Sequence, residues 1–332
     1  VLGGAALRIA DNVIHSAGGG ILAGVSGLCI AGNRINGSDS AEDERKEPAD
    51  GIVIDDGLFV APLVDIEIRH NQLRRIAGNA IHLSRPLQSC RIDANRIHDT
   101  GLGAIVMDRD ASAASLTIHA NHCERLGLAT EREKAAFAAL QLIRVQRCDV
   151  IDNTIATVAP ESTAASAIDG LFAAAIGQLR VRGNRIHAIG PERSGGELGA
   201  LRVLVPCERI VIADNHLDRV GDLARKVASA PWCAIRIGTG TPGDAMRVAP
   251  AHYFATGEVS FLLTASAVES KAARPGEAAI QDNQLRGHES LLPLVLCNGI
   301  THCLFAGNHG ESRFSRAKEA QVGEIAARTL NA

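Results

Sequence analysis

Leu179-Arg-Val-Arg-Gly-Asn184-Arg-Ile-His-Ala-Ile-Gly190 decides the fold, because its skeleton returns along the chain. Read by position, it is apolar, any, apolar, any, any, Asn, any, apolar, with a glycine shortly after. Copies surround Asn12, Asn33, Asn71, Asn95, Asn121, Asn153, Asn184, Asn215, Asn283 and Asn308. In Cys90-Arg-Ile-Asp-Ala-Asn95-Arg-Ile97, Cys90 and Ile92 alternate with Arg91 and Asp93. Period two means a strand with one buried and one exposed face. Asn95 interrupts the alternation. Asparagine tolerates the left-handed backbone and bonds to nearby backbone, so the bend is expected at the Asn itself. Asp99-Thr-Gly-Leu-Gly103 reads as a second turn, Ile105-Val-Met107 as a further strand, and the next unit opens at Leu116-Thr-Ile118. One unit is two or three short strands with their turns.

Such a unit is too short to bury its own apolar face, so neighbours must stack into a continuous core. Successive strands then lie parallel at roughly 4.8 Å per coil, and equivalent asparagines line up as a ladder. The expected architecture is all-β: a right-handed, single-stranded parallel β-helix of about ten or more coils. The repeat resembles the pectate lyase-like superfamily over most of the chain. That resemblance speaks to fold, since many unrelated activities share it.

The 332 residues suit one long solenoid. Hydrophobic content of 46% is that of a folded protein, and a net charge of −3 implies no general attraction to nucleic acid or membranes. No apolar run is long enough for a transmembrane helix. The start, Val1-Leu-Gly-Gly-Ala-Ala-Leu-Arg8, does not read as a secretory leader, and the expectation is a segment of something longer. Of the eight cysteines, Cys90, Cys148 and Cys303 occupy the inward slot five before the Asn, and Cys123 the one two after it. They are expected to be reduced core thiols, and no zinc-type spacing is present. Aromatics are 3% of residues, too few for the sugar-stacking platforms expected of carbohydrate binders of this shape.

The β-helix is expected over 1–310, with insertions at 38–50, 127–139 and 238–276, and a helical cap or linker over 311–332. Residues 38–50 hold six acidic and two basic residues and read as a solvated loop within one coil. Thr130-Glu-Arg-Glu133 has capping-box spacing before Lys134-Ala-Ala-Phe-Ala-Ala139, which predicts a short helix. Spacings of 32, 31 and 31 after Asn121 predict loops near 160–166, 191–199 and 222–231. The 68-residue gap between Asn215 and Asn283 requires an insertion or a degenerate coil. It holds the single Tyr, Tyr253, with the single Trp, Trp232, just before it. Both are candidate contacts for a ligand or partner, because long loops on rigid scaffolds carry function.

Aligned on the Asn, outward columns hold opposite charges on consecutive coils: Arg69, Asp93 and His119; Glu67 and Arg91; Arg74, His98 and Glu124; then His187 and Asp218. Cross-strand pairing of this kind fixes register. The candidate catalytic carboxylates follow the strand after the second turn: Asp55 and Asp56, then Asp108 and Asp110 two coils on. Two coils is roughly 9.6 Å, near the upper end of carboxylate separations in inverting glycosidases. Arg85 and Arg109 beside them are candidate binders of an anionic sugar, with Arg202 and Arg236 further along but without an evident acidic set.

Polygalacturonase-like members of the superfamily carry Asn-Thr-Asp, Asp-Asp, Gly-His-Gly and Arg-Ile-Lys in order. This chain has Asp55-Asp56 but not the other three, and Arg236-Ile-Gly238 lacks the lysine. No metal or cofactor motif is legible. The leading expectation is a scaffold or interaction domain of a larger surface, appendage or phage-tail-like assembly, with protein partners or polysaccharide. The alternative is a polysaccharide lyase, hydrolase or epimerase working in a groove on the outer sheet.

Overall fold

The computed structural model describes residues 6–16, 19–37, 49–55, 61–108, 110–129, 136–221, 227–238, 276–287, 290–292, 294–297, 300 and 302–311. Among them there are 27 strands and no helix. All strand pairings are parallel, and the strands form a 17-stranded and a 10-stranded sheet. The chain is a parallel β-helix whose coils have three sides. Parallel crossovers of this kind take the right-handed sense.

Side one precedes each ladder Asn, and its apolar pairs point inward: Ile66 and Ile68, Cys90 and Ile92, Leu116 and Ile118, Cys148 and Val150. Side two follows the Asn and forms the 10-stranded sheet from Val13–His15 to His309–Glu311. Its inward residue two after the Asn is aliphatic or Cys123 over most of the stack, and over the middle coils a second inward residue ends the strand: Ile76, Thr100, Leu126, Val158 and Ile189. Side three runs through Ile21–Ala23, Ile52–Ile54, Ile81–Leu83 and Ile105–Met107, and continues to Val295–Cys297. Sides three and one merge into one sheet because Phe137–Ile151 and Ala167–Arg182 pass from one to the other without ending.

Side three has its own sequence signature: small, aliphatic, any, aliphatic. It appears as Gly51-Ile-Val-Ile54, Ala80-Ile-His-Leu83, Ala104-Ile-Val-Met107, Gly170-Leu-Phe-Ala173 and Ala200-Leu-Arg-Val203. The small residue sits at the corner, where side two packs behind it. A Cβ on Gly51 would meet the Ala80 carbonyl and a Leu73 methyl at 2.7 Å each.

The ladder runs unbroken from Asn12 to Asn308. Asn95 Nδ2 donates to Asn121 Oδ1 at 3.0 Å and to the Ile68 carbonyl at 2.9 Å. Its backbone N–H donates to the same Asn121 oxygen at 2.9 Å. In turn Asn95 Oδ1 accepts from Asn71 Nδ2 and from the Asn71 backbone N–H. The bend, however, is not at the Asn. The left-handed residue is the one before it in all ten coils, with φ from 51° at Ala94 to 68° at Gly32. The Asn keeps ordinary backbone and satisfies the groups that the bend leaves open.

The turns at 160–166 and 191–196 fall at the corner between sides two and three, while 38–48 and 222–226 lie outside the described residues. The expected helix does not extend over Phe137–Ala139, which open the long strand and are buried; 130–135 lie outside the described residues. Likewise the loop expected to reach Gly199 ends before Glu197, where a strand starts. The coils on either side of the long gap are direct neighbours. Strand Trp232–Gly238 enters it from side three, Glu277–Gln281 leaves it on side one, and Asn215 Nδ2 reaches Asn283 Oδ1 at 2.9 Å. Residues 239–275, with Tyr253, and 312–332, with the expected terminal helix, lie outside the described residues. No helix among the described residues is long and apolar enough to cross a membrane.

All eight cysteines are free thiols, five of them buried. Burial pushes the Cys90 and Cys123 thiols up to about 12, which leaves them unreactive core atoms.

Candidate functional site

On side three the middle residue of each rung points outward. The column reads Leu22, Val53, His82, Val106, Gln141, Phe172, Arg202, Arg236 and Leu296. Three residues earlier, at the corner, stand Asp50 and Asp169. Each acid reaches the cation of the following coil. Asp50 Oδ2 lies 2.7 Å from His82 Nδ1, and Asp169 Oδ1 accepts from Arg202 Nε at 3.0 Å. One geometric relation, acid at the corner and cation one rung on, thus builds two clusters.

The first cluster gathers several candidates. Asp55 and Asp108 do lie two rungs apart, with Ser84 between them. The Ser84 N–H bonds to the Ile54 carbonyl, and the Asp108 N–H to the Leu83 carbonyl. Arg85 Nε is 3.6 Å from Asp55 Oδ1. His82 Nε2 is 3.8 Å from Asp108 Oδ2. The hydrogen bond to Asp50 holds the His82 imidazolium above the usual histidine range against its burial, and the Asp50, Asp108 and Asp55 charges add to it. Asp50 also accepts from the Asn79 N–H at 2.5 Å, and Asn79 Oδ1 accepts from the Gly103 N–H at 3.0 Å. Asp110 lies within the turn that the Ala111 N–H closes on the Asp108 carbonyl. Arg144 is beside it: burial lowers its guanidinium, while Asp110 and Asp108 oppose the shift. Asp56 and Arg109 lie outside the described residues.

His82 and Asp50 were the members that sequence reading missed. The side-three signature holds the signal, since its variable position is hydrophobic or amide at most other rungs, and a lone histidine there stands out.

The second cluster corrects the expectation for Arg202 and Arg236. Both have acids beside them. Arg202 is buried, and its Nη2 lies 3.0 Å from Glu197 Oε2, which also bonds Arg236 Nη1. Burial alone would raise the Glu197 carboxyl, but the Arg236 bond and the Arg202 charge outweigh it and hold it below the usual range. The acids were hidden because Asp169 comes from the preceding coil. Trp232 is not a surface platform. It is wholly buried, on the rung after Leu198, and its carbonyl accepts from the Ser290 hydroxyl at 2.6 Å.

Elsewhere the outward charges pair partly across rungs and partly within a strand. On side one Asp93 lies 2.6 Å from His119 of the next rung, Arg180 reaches Asp149 and Arg182 reaches Asp214 at 2.8 and 2.9 Å, but Arg69 pairs with Glu67 and Arg91 with Asp93 of their own strands and not with the columns' partners. On side two Asp99 pairs with its neighbour His98 and with Arg125 of the next rung. Chemically, these groups can hold register and shape. The described residues contain no group of three or more His, Cys, Asp or Glu placed to hold a metal ion. No protein-family model matches the chain, and neither does any curated protein or solved structure.

Proposed function

We propose that the chain is a β-helix scaffold or interaction domain of pectate lyase-like build, presenting rigid sides to partners in a larger surface, appendage or phage-tail-like assembly. The observation that carries this reading is the commitment of its ionisable side chains to one another: Asp50 with His82, Asp55 with Arg85, Asp169 with Arg202, Glu197 with Arg236. A general acid or base must reach substrate and change its protonation in the reaction. The Arg236 bond and the Arg202 charge hold the Glu197 carboxyl ionised, which suits a fixed surface.

One feature favours a second reading as a polysaccharide hydrolase, lyase or epimerase. His82 stands between Asp50 and Asp108 with partial solvent access, and Asp55 and Asp108 bracket it at two rungs. Incubation with acidic and neutral polysaccharides, with and without calcium, followed by mass spectrometry of the sugars, separates the two. The scaffold reading expects intact chains. Shortened or unsaturated products that disappear in Asp55→Asn or Asp108→Asn would replace it with the enzyme reading.

A further inference from the structure

The last described coil carries two thiols in its inward slots. Cys297 ends the strand Val295–Cys297 on side three, in register with Ile237. Cys303 lies in the strand His302–Ala306 on side one, in register with Ala278. Ile237 and Ala278 are buried core residues, so both sulfurs point into the same corner of the solenoid, and both pack against its core. There the Cys297 thiol donates a hydrogen bond to the Cys303 sulfur. Burial, and then the neighbouring Cys303, push the Cys297 thiol up to about 12. The other six cysteines are placed differently. Cys90, Cys123, Cys148, Cys207 and Cys233 are buried, and the half-buried Cys29 donates to Glu67 Oε2 at 3.5 Å. Among the described residues, only Cys297 and Cys303 combine partial exposure with a second thiol in contact. Each of their strands also pairs with one described neighbour, Trp232–Gly238 or Glu277–Gln281, where an inner rung pairs on both faces.

We propose that Cys297 and Cys303 form a redox site, which a small-molecule disulfide such as oxidised glutathione closes into a bond stapling side three to side one. The step is thiol–disulfide exchange. One cysteine gives up its proton and attacks a sulfur of the oxidant. The oxidant's S–S bond breaks, and the glutathione thiolate that leaves takes a proton. The second cysteine gives up its proton and displaces the other glutathione from the mixed disulfide. The chain has then lost two electrons and two protons, and the oxidant departs as two thiols. Only thiolates attack, so the raised Cys297 makes closing slow at neutral pH and lets the reduced pair persist until oxidant is sustained. Closing withdraws chain freedom from the coil that hydrogen bonds hold least. A covalent bond then does at this corner what a following rung does elsewhere in the stack. The inference is independent of whether the outer sides act as scaffold or as enzyme.

The full chain, equilibrated with oxidised or with reduced glutathione, is unfolded in iodoacetamide, cut with trypsin and weighed by mass spectrometry. One tryptic peptide, 287–313, holds both cysteines. After oxidation it is expected without alkylation and lighter by two hydrogens, so that the alkylated thiols fall from eight to six. After reduction all eight should be alkylated. Amide hydrogen exchange in Val295–Cys297 and His302–Ala306 should slow severalfold on closing. In Cys303→Ser that exchange should ignore the oxidant, whereas Cys29→Ser should respond like the parent. Eight alkylated thiols after oxidation, glutathione left attached to Cys297 or Cys303, a disulfide through any other cysteine, or exchange unchanged by closing would each overturn the proposal. The two forms of the parent decide the matter even where a variant does not fold.

Discussion

At the scale of the residue, the fold depends on a division of labour between two neighbours. The ladder Asn satisfies buried groups, and the residue before it takes the left-handed backbone. Asn95→Ala removes both donors and the acceptor of a buried amide, and should destabilise the fold by about 1–3 kcal/mol. A thermal melt unchanged from the parent would refute the ladder's role. The preceding position behaves differently. Gly183 has φ 67°, and a Cβ there would meet Asp152 Oδ1 at 2.1 Å. Gly183→Ala should therefore lower the melting temperature, whereas Ala94→Gly, at φ 51°, relieves strain and should cost little or raise it. If both substitutions shift the melt alike, the bend has been wrongly placed. The sequence made the asparagines legible because a side chain was repeated. It made the bend harder to place, since the residue before the Asn is variously Asp, Gly, His or Ala, and only backbone conformation unites them.

At the scale of the element, side one and side two were readable from alternation, while side three was only half read. Its first residue is small and points inward, which breaks the period-two pattern at the corner. His82 therefore carries no periodic signal in the sequence, whereas Asp55 and Asp108 stand directly after apolar strands. The His82–Asp50 pair makes a pH prediction. The folded-state affinity of His82 for its proton is raised. Its contribution is therefore complete below the unfolded histidine value and is lost as pH rises through the folded one. The urea midpoint should therefore fall as pH rises above the ordinary histidine value. In Asp50→Asn that decline should flatten, because the largest cause of the shift is gone. An equally steep decline in the variant would show that some other group governs it. The sequence shows Arg202 but not its buried acid Asp169, which comes from the preceding coil, and one-dimensional reading sees the two as strangers.

At the scale of the whole molecule, stability comes from each coil packing on its two neighbours. Insertions leave the stack intact because they emerge at corners. Replacing 239–275 by a short Gly-Ser linker between Gly238 and Gly276 should preserve the β-sheet circular dichroism and a cooperative melt. Loss of the folded signal would show that the segment completes the core. The number of coils was visible from the repeat, and so was the continuity of the ladder across the longest gap. That the coils flanking that gap are direct neighbours shows only in the pairing of Arg209–Ala213 with Glu277–Gln281 and of Trp232–Gly238 with Val295–Cys297. The ladder has one further consequence. Each amide donates toward the next coil and accepts from the one before it, from Asn12 through Asn308. Backbone dipoles in a sheet largely cancel by alternation, but these side-chain dipoles all point one way and polarise one another. The solenoid is therefore an electrically polar rod, with amide oxygens turned toward the Asn12 end and amide hydrogens toward the Asn308 end.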